Sequence, residues 1–214
     1  MGNKHVRTML RRMASGEHVE IAPAMATMKK LTRLAFIAQQ FGYEYADIGQ
    51  GGGPQGDGYV LLIVPDPSPQ ARARAERNRT TYPDAGDGGA LPPLDPGAIE
   101  LLKARITFDI TAKHTDRQRV LLAGVGAVPL ALLVGFGLGS GITAVAVTAA
   151  VWAAVMALVP VGLAVNRHYR AKYAALLRAA GFTPVTDPTG RLRYVPPGGQ
   201  LPGHGNPFAG GSPS

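Results

Sequence analysis

Residues 120–166 read VLLAGVGAVPLALLVGFGLGSGITAVAVTAAVWAAVMALVPVGLAVN, and they contain no charged side chain, although 17% of the chain is charged. All 22 Lys and Arg and all 14 Asp and Glu lie on either side of this stretch. A hydrocarbon core of about 30 Å requires about 20 mostly apolar residues in a helix. We therefore predict transmembrane helices at 120–138 and 142–165, joined by an outer turn at 139–141.

A buried helical hairpin in a soluble protein is the alternative interpretation of this stretch. Core helices of soluble proteins normally carry a polar face, and these two segments have none. Outside 120–166, the chain has too little apolar material to surround two helices that are apolar on every side. The pattern therefore favours a membrane over a soluble core.

Small residues recur at every fourth position in both predicted spans. This spacing allows two helix backbones to approach closely, so that dispersion contacts hold them together in lipid. We predict an antiparallel helix pair, with a dimer interface as a further role, although Ala and Gly are abundant throughout the chain. The packing residues are Ala123, Ala127, Ala131, Gly135 and Gly139 in the first span and Ala146, Ala150 and Ala154 in the second, with Ala149, Ala153 and Ala157 on an adjacent stripe.

Positive side chains flank the two spans, and the turn at 139–141 has none. Lys and Arg are enriched in the cytoplasmic loops that border transmembrane helices. We therefore predict a multi-pass protein of the cell membrane with both termini in the cytoplasm. The residues that set this orientation are Lys113, Arg117 and Arg119 before the first span, and Arg167, Arg170 and Lys172 after the second.

The segments on each side of the spans both predict a helix followed by a β-hairpin. In 27–79, apolar residues recur at the helical period, and two strand-like segments follow around a glycine-rich loop. Thr27 is placed to cap this helix, and Gly42 to end it with a positive φ. In 166–195, a helix ends at Gly181 and the sequence DPTG predicts a turn between two strands. An internal duplication is one explanation of this similarity, and a common local arrangement is another.

The predicted fold class is a membrane α-helical hairpin of two transmembrane helices with a small α+β cytoplasmic domain, built from the helix–β-hairpin units on both sides. Four other segments complete the chain. Residues 1–26 are predicted to be a basic N-terminal tail, 80–97 a Pro/Gly linker, and 196–214 a disordered tail. Residues 98–119 are predicted to contain a short helix, a strand at 105–112 (RITFDITA), where apolar and polar residues alternate, and a juxtamembrane segment.

The sequence contains no arrangement of residues that is typical of catalysis, of a cofactor site or of a metal site. There is no cysteine, and the five histidines are scattered without ligand spacing. The glycine-rich loop at 49–58 lacks the Gly-Lys-Ser/Thr ending of a phosphate-binding loop and precedes a strand instead of a helix. We predict that the protein is not an enzyme and needs no cofactor.

Two basic segments, 4–12 and 71–79, remain as candidates for contact with anionic partners in a chain of net charge +8. Anionic lipid headgroups, nucleic acid and plain solvation of a charged helix face are the three interpretations. The enrichment in Ala, Gly, Arg and Pro without cysteine resembles the composition of a GC-rich bacterial genome.

We therefore expect a bacterial membrane anchor or interaction module without catalytic activity. Its expected partners are the lipid bilayer and either another protein or a second copy through the spans, with nucleic acid less favoured. The alternative function is an oligomeric pore or a DNA-transfer component of the membrane.

Overall fold

The computed structural model describes residues 3–23, 27–50, 58–113, 115–137 and 141–197. The chain divides into two compact units. Unit 1 comprises Met1–Ile110 and Leu176–Ser214, and unit 2 comprises Thr111–Ala175. The elements in chain order are α1 (Asn3–Met13), β1 (Val19–Ile21), α2 (Met28–Gln40), β2 (Tyr43–Gln50), β3 (Tyr59–Pro65), α3 (Pro69–Thr81), a 3-10 helix (Pro83–Asp87), α4 (Pro96–Ala112), α5 (Asp116–Gly137), α6 (Ile142–Ala179), β4 (Thr183–Thr186) and β5 (Leu192–Val195).

The larger sheet of unit 1 is antiparallel in the order β1-β3-β2. Strands β2 and β3 form the predicted hairpin, whose register shifts between Tyr45 and Asp47. The shift leaves Ala46 as an extra residue, so that Tyr45 opposite Ile63 and Ile48 opposite Leu61 both face the core despite their odd spacing. The bulge therefore changes which alternate positions of β2 are buried.

Helix α2 covers one face of this sheet and supplies much of the core of unit 1. The side chain of Thr27 accepts a hydrogen bond from the backbone N–H of Lys30, and Gly42 follows the helix with φ +86°, as predicted. Each fully buried Leu, Ile or Phe contributes about 1.5–3 kcal/mol to folding. The buried apolar residues of α2 are Leu31, Leu34, Ala35, Phe36, Ile37 and Ala38.

Helix α3 contains the basic segment 71–79, and two of its polar side chains bind the C-terminal end of α2. Ser68 caps its start by accepting a hydrogen bond from the N–H of Ala71. Arg74 donates to the carbonyl of Gln39 at 2.9 Å, and Asn78 donates to that of Gln40 at 2.7 Å. Because the last carbonyls of a helix lack partners within it, these bonds complete the C-terminus of α2.

The prediction of a basic tail at 1–26 was wrong, because this segment forms α1 and β1. Val6, Met9 and Met13 follow the helical period and are buried on one face of α1, while the cations lie on other faces. Strand β1 has only three residues, which is too short to show an alternating pattern, and it pairs with β3. A few buried apolar side chains therefore hold this segment in the core of unit 1, although its many charges suggested a solvated tail.

The predicted strand at 105–112 was also wrong, because these residues form the second half of α4. Strict alternation would place Arg105 and Asp109 on an exposed face with Thr107, but both charged residues are only 3% exposed. Their spacing of four residues places them on one side of a helix, and Ile106 and Phe108 are buried as well. A helix buried on several sides has no clear amphipathic period.

The other predicted segments agree with the structure in part. The 80–97 linker is shorter than predicted, because α3 reaches Thr81 and the 3-10 helix buries Ala85. In the second hairpin, β4 and β5 pair antiparallel around the predicted turn. Most of the glycine-rich loop, residues 139 and 140 of the outer turn, and residues 198–214 lie outside the described residues.

Two glycines with positive φ give a test of how closely unit 1 is packed. At Gly42 an added Cβ would lie 3.0 Å from the Cβ of Ala75, whereas at Gly16 (φ +75°) it would meet nothing within 4 Å. Either Gly→Ala change forces a left-handed backbone on alanine, which costs about 1–2 kcal/mol. We expect Gly42→Ala to lower the free energy of unfolding of unit 1 more than Gly16→Ala, as measured by pulse proteolysis of the full chain in detergent micelles with urea. Equal losses would show that α3 moves away from the new methyl group at little cost.

Candidate functional site

Unit 2 contains α5 and part of α6, and both helices are long and apolar enough to cross a membrane. The segments that qualify are Asp116–Gly135, with a mean hydropathy of 1.7, and Ile142–Ala179, with a mean hydropathy of 2.3. Only 17% and 6% of the residues in the apolar 18-residue stretches of the first and second helix are buried. Leu133 (74% exposed) and Ile142 (88% exposed) illustrate how openly the side chains are presented.

The small residues of the first span lie where α5 meets α6. Ala127 and Ala131 are buried, Ala123 is half-buried, and Gly135 is buried. A Cβ on Gly135 would lie 1.8 Å from the Oγ1 of Thr148 and 2.9 Å from the carbonyl oxygen of Ala144. The backbone of α5 therefore approaches α6 more closely than any side chain would allow. Gly139, the last residue predicted for this stripe, lies outside the described residues.

The small residues predicted for the second span do not face α5. Ala146, Ala150 and Ala154 are all exposed. Instead, α6 meets α5 through a different set of positions, also spaced by four, at which all side chains but the first are larger than alanine. They are Ala144, Thr148, Trp152 and Met156.

The indole of Trp152 fixes one of these contacts, because its Nε1–H donates to the carbonyl oxygen of Gly124 at 3.1 Å. The absence of a side chain at Gly124 also leaves room for Met156, whose sulfur lies 3.8 Å from the point that a Cβ of residue 124 would occupy. The Oγ1–H of Thr148 donates to the carbonyl of Ala144 within its own helix at 2.8 Å. Each of these polar groups is therefore satisfied within the apolar pair.

An ion pair joins the charged ends of the two helices. The guanidinium Nη2 of Arg167 lies 2.7 Å from Oδ2 of Asp116, and its Nε donates to the same oxygen at 2.8 Å. Because Asp116 begins α5 and Arg167 follows the apolar part of α6, the helices are antiparallel and their charged ends lie together. Arg119, another residue predicted to set the orientation, donates to the carbonyl of Thr111 at 2.7 Å.

Unit 1 holds a buried charged cluster that the sequence did not predict. Asp109 of α4 is its centre, because Oδ2 accepts hydrogen bonds from the hydroxyl of Tyr45 at 2.9 Å and from Nη2 of Arg193 at 3.0 Å. Arg193 also donates to the carbonyl of Ala46 at the β2 bulge. Burial raises the pKa of Asp109, and Arg193 and Tyr45 oppose that rise. The cluster therefore binds β5, β2 and α4 to one another.

A second arginine of the C-terminal hairpin extends the cluster toward solvent. Arg191 lies 2.9 Å from Asp47 of β2 and 3.2 Å from Asp187 in its own turn. Although burial acts to raise it, hydrogen bonds from Thr189 and Arg191 hold the pKa of Asp187 at about 2. The ordinary pKa of this carboxyl is 3.8, so the hydrogen bonds of ionised Asp187 stabilise the fold above about pH 4. That stabilisation is lost as the pH falls toward 2.

These contacts assemble unit 1 from residues on both sides of α5 and α6. The rings of Phe108 in α4 and Tyr194 in β5 add an edge-to-face contact, with centroids 4.9 Å apart. The one available sequence signal was the i, i+4 spacing of Arg105 and Asp109, which the alternating pattern concealed. Within the described ranges, no group of three or more His, Cys, Asp or Glu side chains could hold a metal ion.

Comparisons with protein-family models, with curated proteins and with solved structures find no match to this chain.

The contact at Gly135 predicts a large difference between two glycines of α5. Gly135→Ala should weaken the helix pair by about 1–3 kcal/mol, because the methyl group overlaps Thr148. Gly126→Ala is the matched control, because a Cβ there meets nothing within 4 Å. The fluorescence of Trp152, the single tryptophan, reports unfolding as SDS is added to mixed micelles. Equal stability of the two variants would contradict the close approach of the helices.

Breaking the buried ion pair of Arg193 and Asp109 should lower the free energy of unfolding much more than breaking an exposed ion pair of similar geometry. Arg193→Met leaves Asp109 buried without its cation, which should cost about 3–5 kcal/mol. Arg11→Met is the control, because Arg11 and Asp87 are also close, at 2.8 Å, but both side chains are exposed and screened by solvent, so the loss should be much smaller.

Pulse proteolysis of the full chain in micelles measures both losses. Adding Asp109→Asn to Arg193→Met should recover part of the stability, since it removes the unpaired charge. Similar losses of stability for Arg193→Met and Arg11→Met would show that the buried cluster contributes no more than an exposed ion pair.

Proposed function

We propose that this chain is a bacterial membrane anchor or interaction module without catalytic activity, in which α5 and α6 cross the cell membrane as an antiparallel pair. The observation that carries the proposal is the exposure of both helices, with 17% and 6% of their apolar windows buried. The core helix of a soluble protein would be mostly buried. In water, apolar side chains exposed along two helices would form a patch far larger than soluble monomers normally carry, whereas lipid solvates them favourably.

The charges at the ends of the pair support an orientation with both termini in the cytoplasm. Asp116 and Arg167 lie together at one end, and the neighbouring Arg117, Arg170 and Lys172 make that end basic. Basic residues favour the cytoplasmic side of a span. Unit 1, which contains residues from both ends of the chain, would then lie in the cytoplasm.

The partner is proposed to bind through α6. Ala146, Ala150 and Ala154 form a face of small residues that α5 leaves exposed. Small residues at this spacing support close helix contacts in lipid. A helix of another membrane protein, or α6 of a second copy, has the chemistry that fits this face. The basic segments make nucleic acid a weaker candidate.

The absence of cysteine makes a direct topology test possible. Ser140→Cys places a thiol at the predicted outer turn, and Ser15→Cys places one at an exposed position of unit 1. We expect a membrane-impermeant maleimide to label Ser140→Cys in intact cells and Ser15→Cys only after lysis. Both variants should stay in the membrane fraction after extraction with alkaline carbonate.

Two results would contradict the proposal. Labelling of Ser15→Cys in intact cells would exclude the cytoplasmic termini, and release by carbonate would exclude the spans. Leakage of a small dye from vesicles that contain the purified chain would favour the oligomeric pore over the anchor.

A further inference from the structure

Unit 1 contains a polar cavity of about 320 Å³ between α2, α3 and α4. The ends of β2 and β3 and the residue after β5 complete its wall. Several of its side chains are charged or carry amides, which is unusual for a gap in an apolar core. The lining includes Gln39, Glu44, Asp66, Arg74 and Arg105.

Arg105 is the exceptional residue of this lining. It is 3% exposed, and its Nε is buried without a hydrogen-bond partner among the described residues. Its guanidinium lies over the ring of Tyr45, with Cζ 5.2 Å from the centroid, but a ring face accepts no hydrogen bond of ordinary strength. The nearby carboxylate of Asp109 is paired with Arg193 through Oδ2, and its Oδ1 is also buried without a hydrogen-bond partner among the described residues.

A buried guanidinium whose Nε–H has no acceptor is a costly arrangement. Arginine stays protonated in proteins, so it cannot escape the cost of burial by losing its charge. Buried polar groups are normally hydrogen-bonded, and a buried charge without compensation costs several kcal/mol. The cavity beside Arg105 is the space from which an acceptor could reach it.

The other charges of the wall restrict what that acceptor can be. Burial raises the pKa of Glu44 to about 7, and Asp66 adds to the rise, while Arg105 and Arg193 oppose it. Near neutral pH, Glu44 is therefore protonated in a large fraction of molecules and can donate a hydrogen bond. Arg74 is committed through its Nε to the carbonyl of Gln39.

We propose that this cavity binds a compact carboxylate anion, whose oxygens accept hydrogen bonds from Arg105. A carboxylate matches the paired donors of a guanidinium and brings a single negative charge. Glu44 keeps its proton in the complex, and phosphate would bring a second negative charge beside the carboxylate of Asp66. The volume admits only a small molecule, at the lower end of the usual range of ligand pockets. The proposal does not depend on the membrane topology.

Titration of the full chain in detergent micelles with sodium acetate tests this site. The probe signal is the Nε–H resonance of Arg105 in a proton–nitrogen spectrum, with sodium chloride at equal ionic strength as the reference. We expect a saturable shift with acetate and none with chloride. Above about pH 7, the dissociation constant should rise about tenfold per pH unit, because Glu44 must keep its proton in the complex.

Three variants separate the parts of the proposal. Arg105→Met should abolish binding, as seen by calorimetry, and should leave the chain folded, because an apolar side chain replaces an unpaired buried charge. Glu44→Gln keeps a donor without a charge, so binding should persist and lose its dependence on pH. Arg72→Met, on the exposed side of α3, should bind acetate as the unchanged chain does.

The same measurements can overturn the proposal. Equal shifts with acetate and chloride, or no saturable shift with acetate, would show that the site does not select a carboxylate. Tighter binding of inorganic phosphate than of acetate would exclude the carboxylate assignment. Binding that keeps its pH dependence in Glu44→Gln would exclude the role of Glu44.

Discussion

The buried carboxylate of Asp109 requires a cation, and that cation comes from Arg193, 84 residues further along the chain. Between them lie α5 and the whole of α6, and α5 and most of α6 belong to a separate unit. The ion pair can form only if the chain that leaves unit 1 through α4 returns to it. An antiparallel pair of long helices meets this requirement, and the Asp116–Arg167 contact at its charged end shows that the return is made.

Local patterns predicted the elements whose burial is simple. A stretch without charge is a strong signal for the two long helices, and α2 has one apolar face against a sheet, so its period is clear. The hairpins follow from turn residues such as Gly190, which has a positive φ. In contrast, α4 is buried on several sides, and Arg105 and Asp109 are buried only because distant residues surround them. Their position depends on tertiary contacts that a local pattern does not contain.

The helix pair shows the same limit at a finer scale. The sequence predicted that small residues would mediate contact, and in α5 they lie at the interface. In α6, small residues occupy several stripes, so the spacing alone cannot choose among them. Trp152 and Met156 belong to the stripe that meets α5, because Gly124 offers space and an accessible carbonyl. The orientation of α6 about its own axis thus places its large residues against α5 and leaves the predicted alanine face exposed.

The two arginines of the buried region differ in a way that stability alone does not explain. Arg193 neutralises Asp109 and binds the β2 bulge, so its removal would leave a charge unpaired. Among the described residues Arg105 forms no such pair, and an apolar side chain of similar length would fill its place at a lower cost in desolvation. An anion in the polar cavity would supply an acceptor that Arg105 lacks among the described residues. The physical account of Arg105 is therefore one of binding, while that of Arg193 is one of folding.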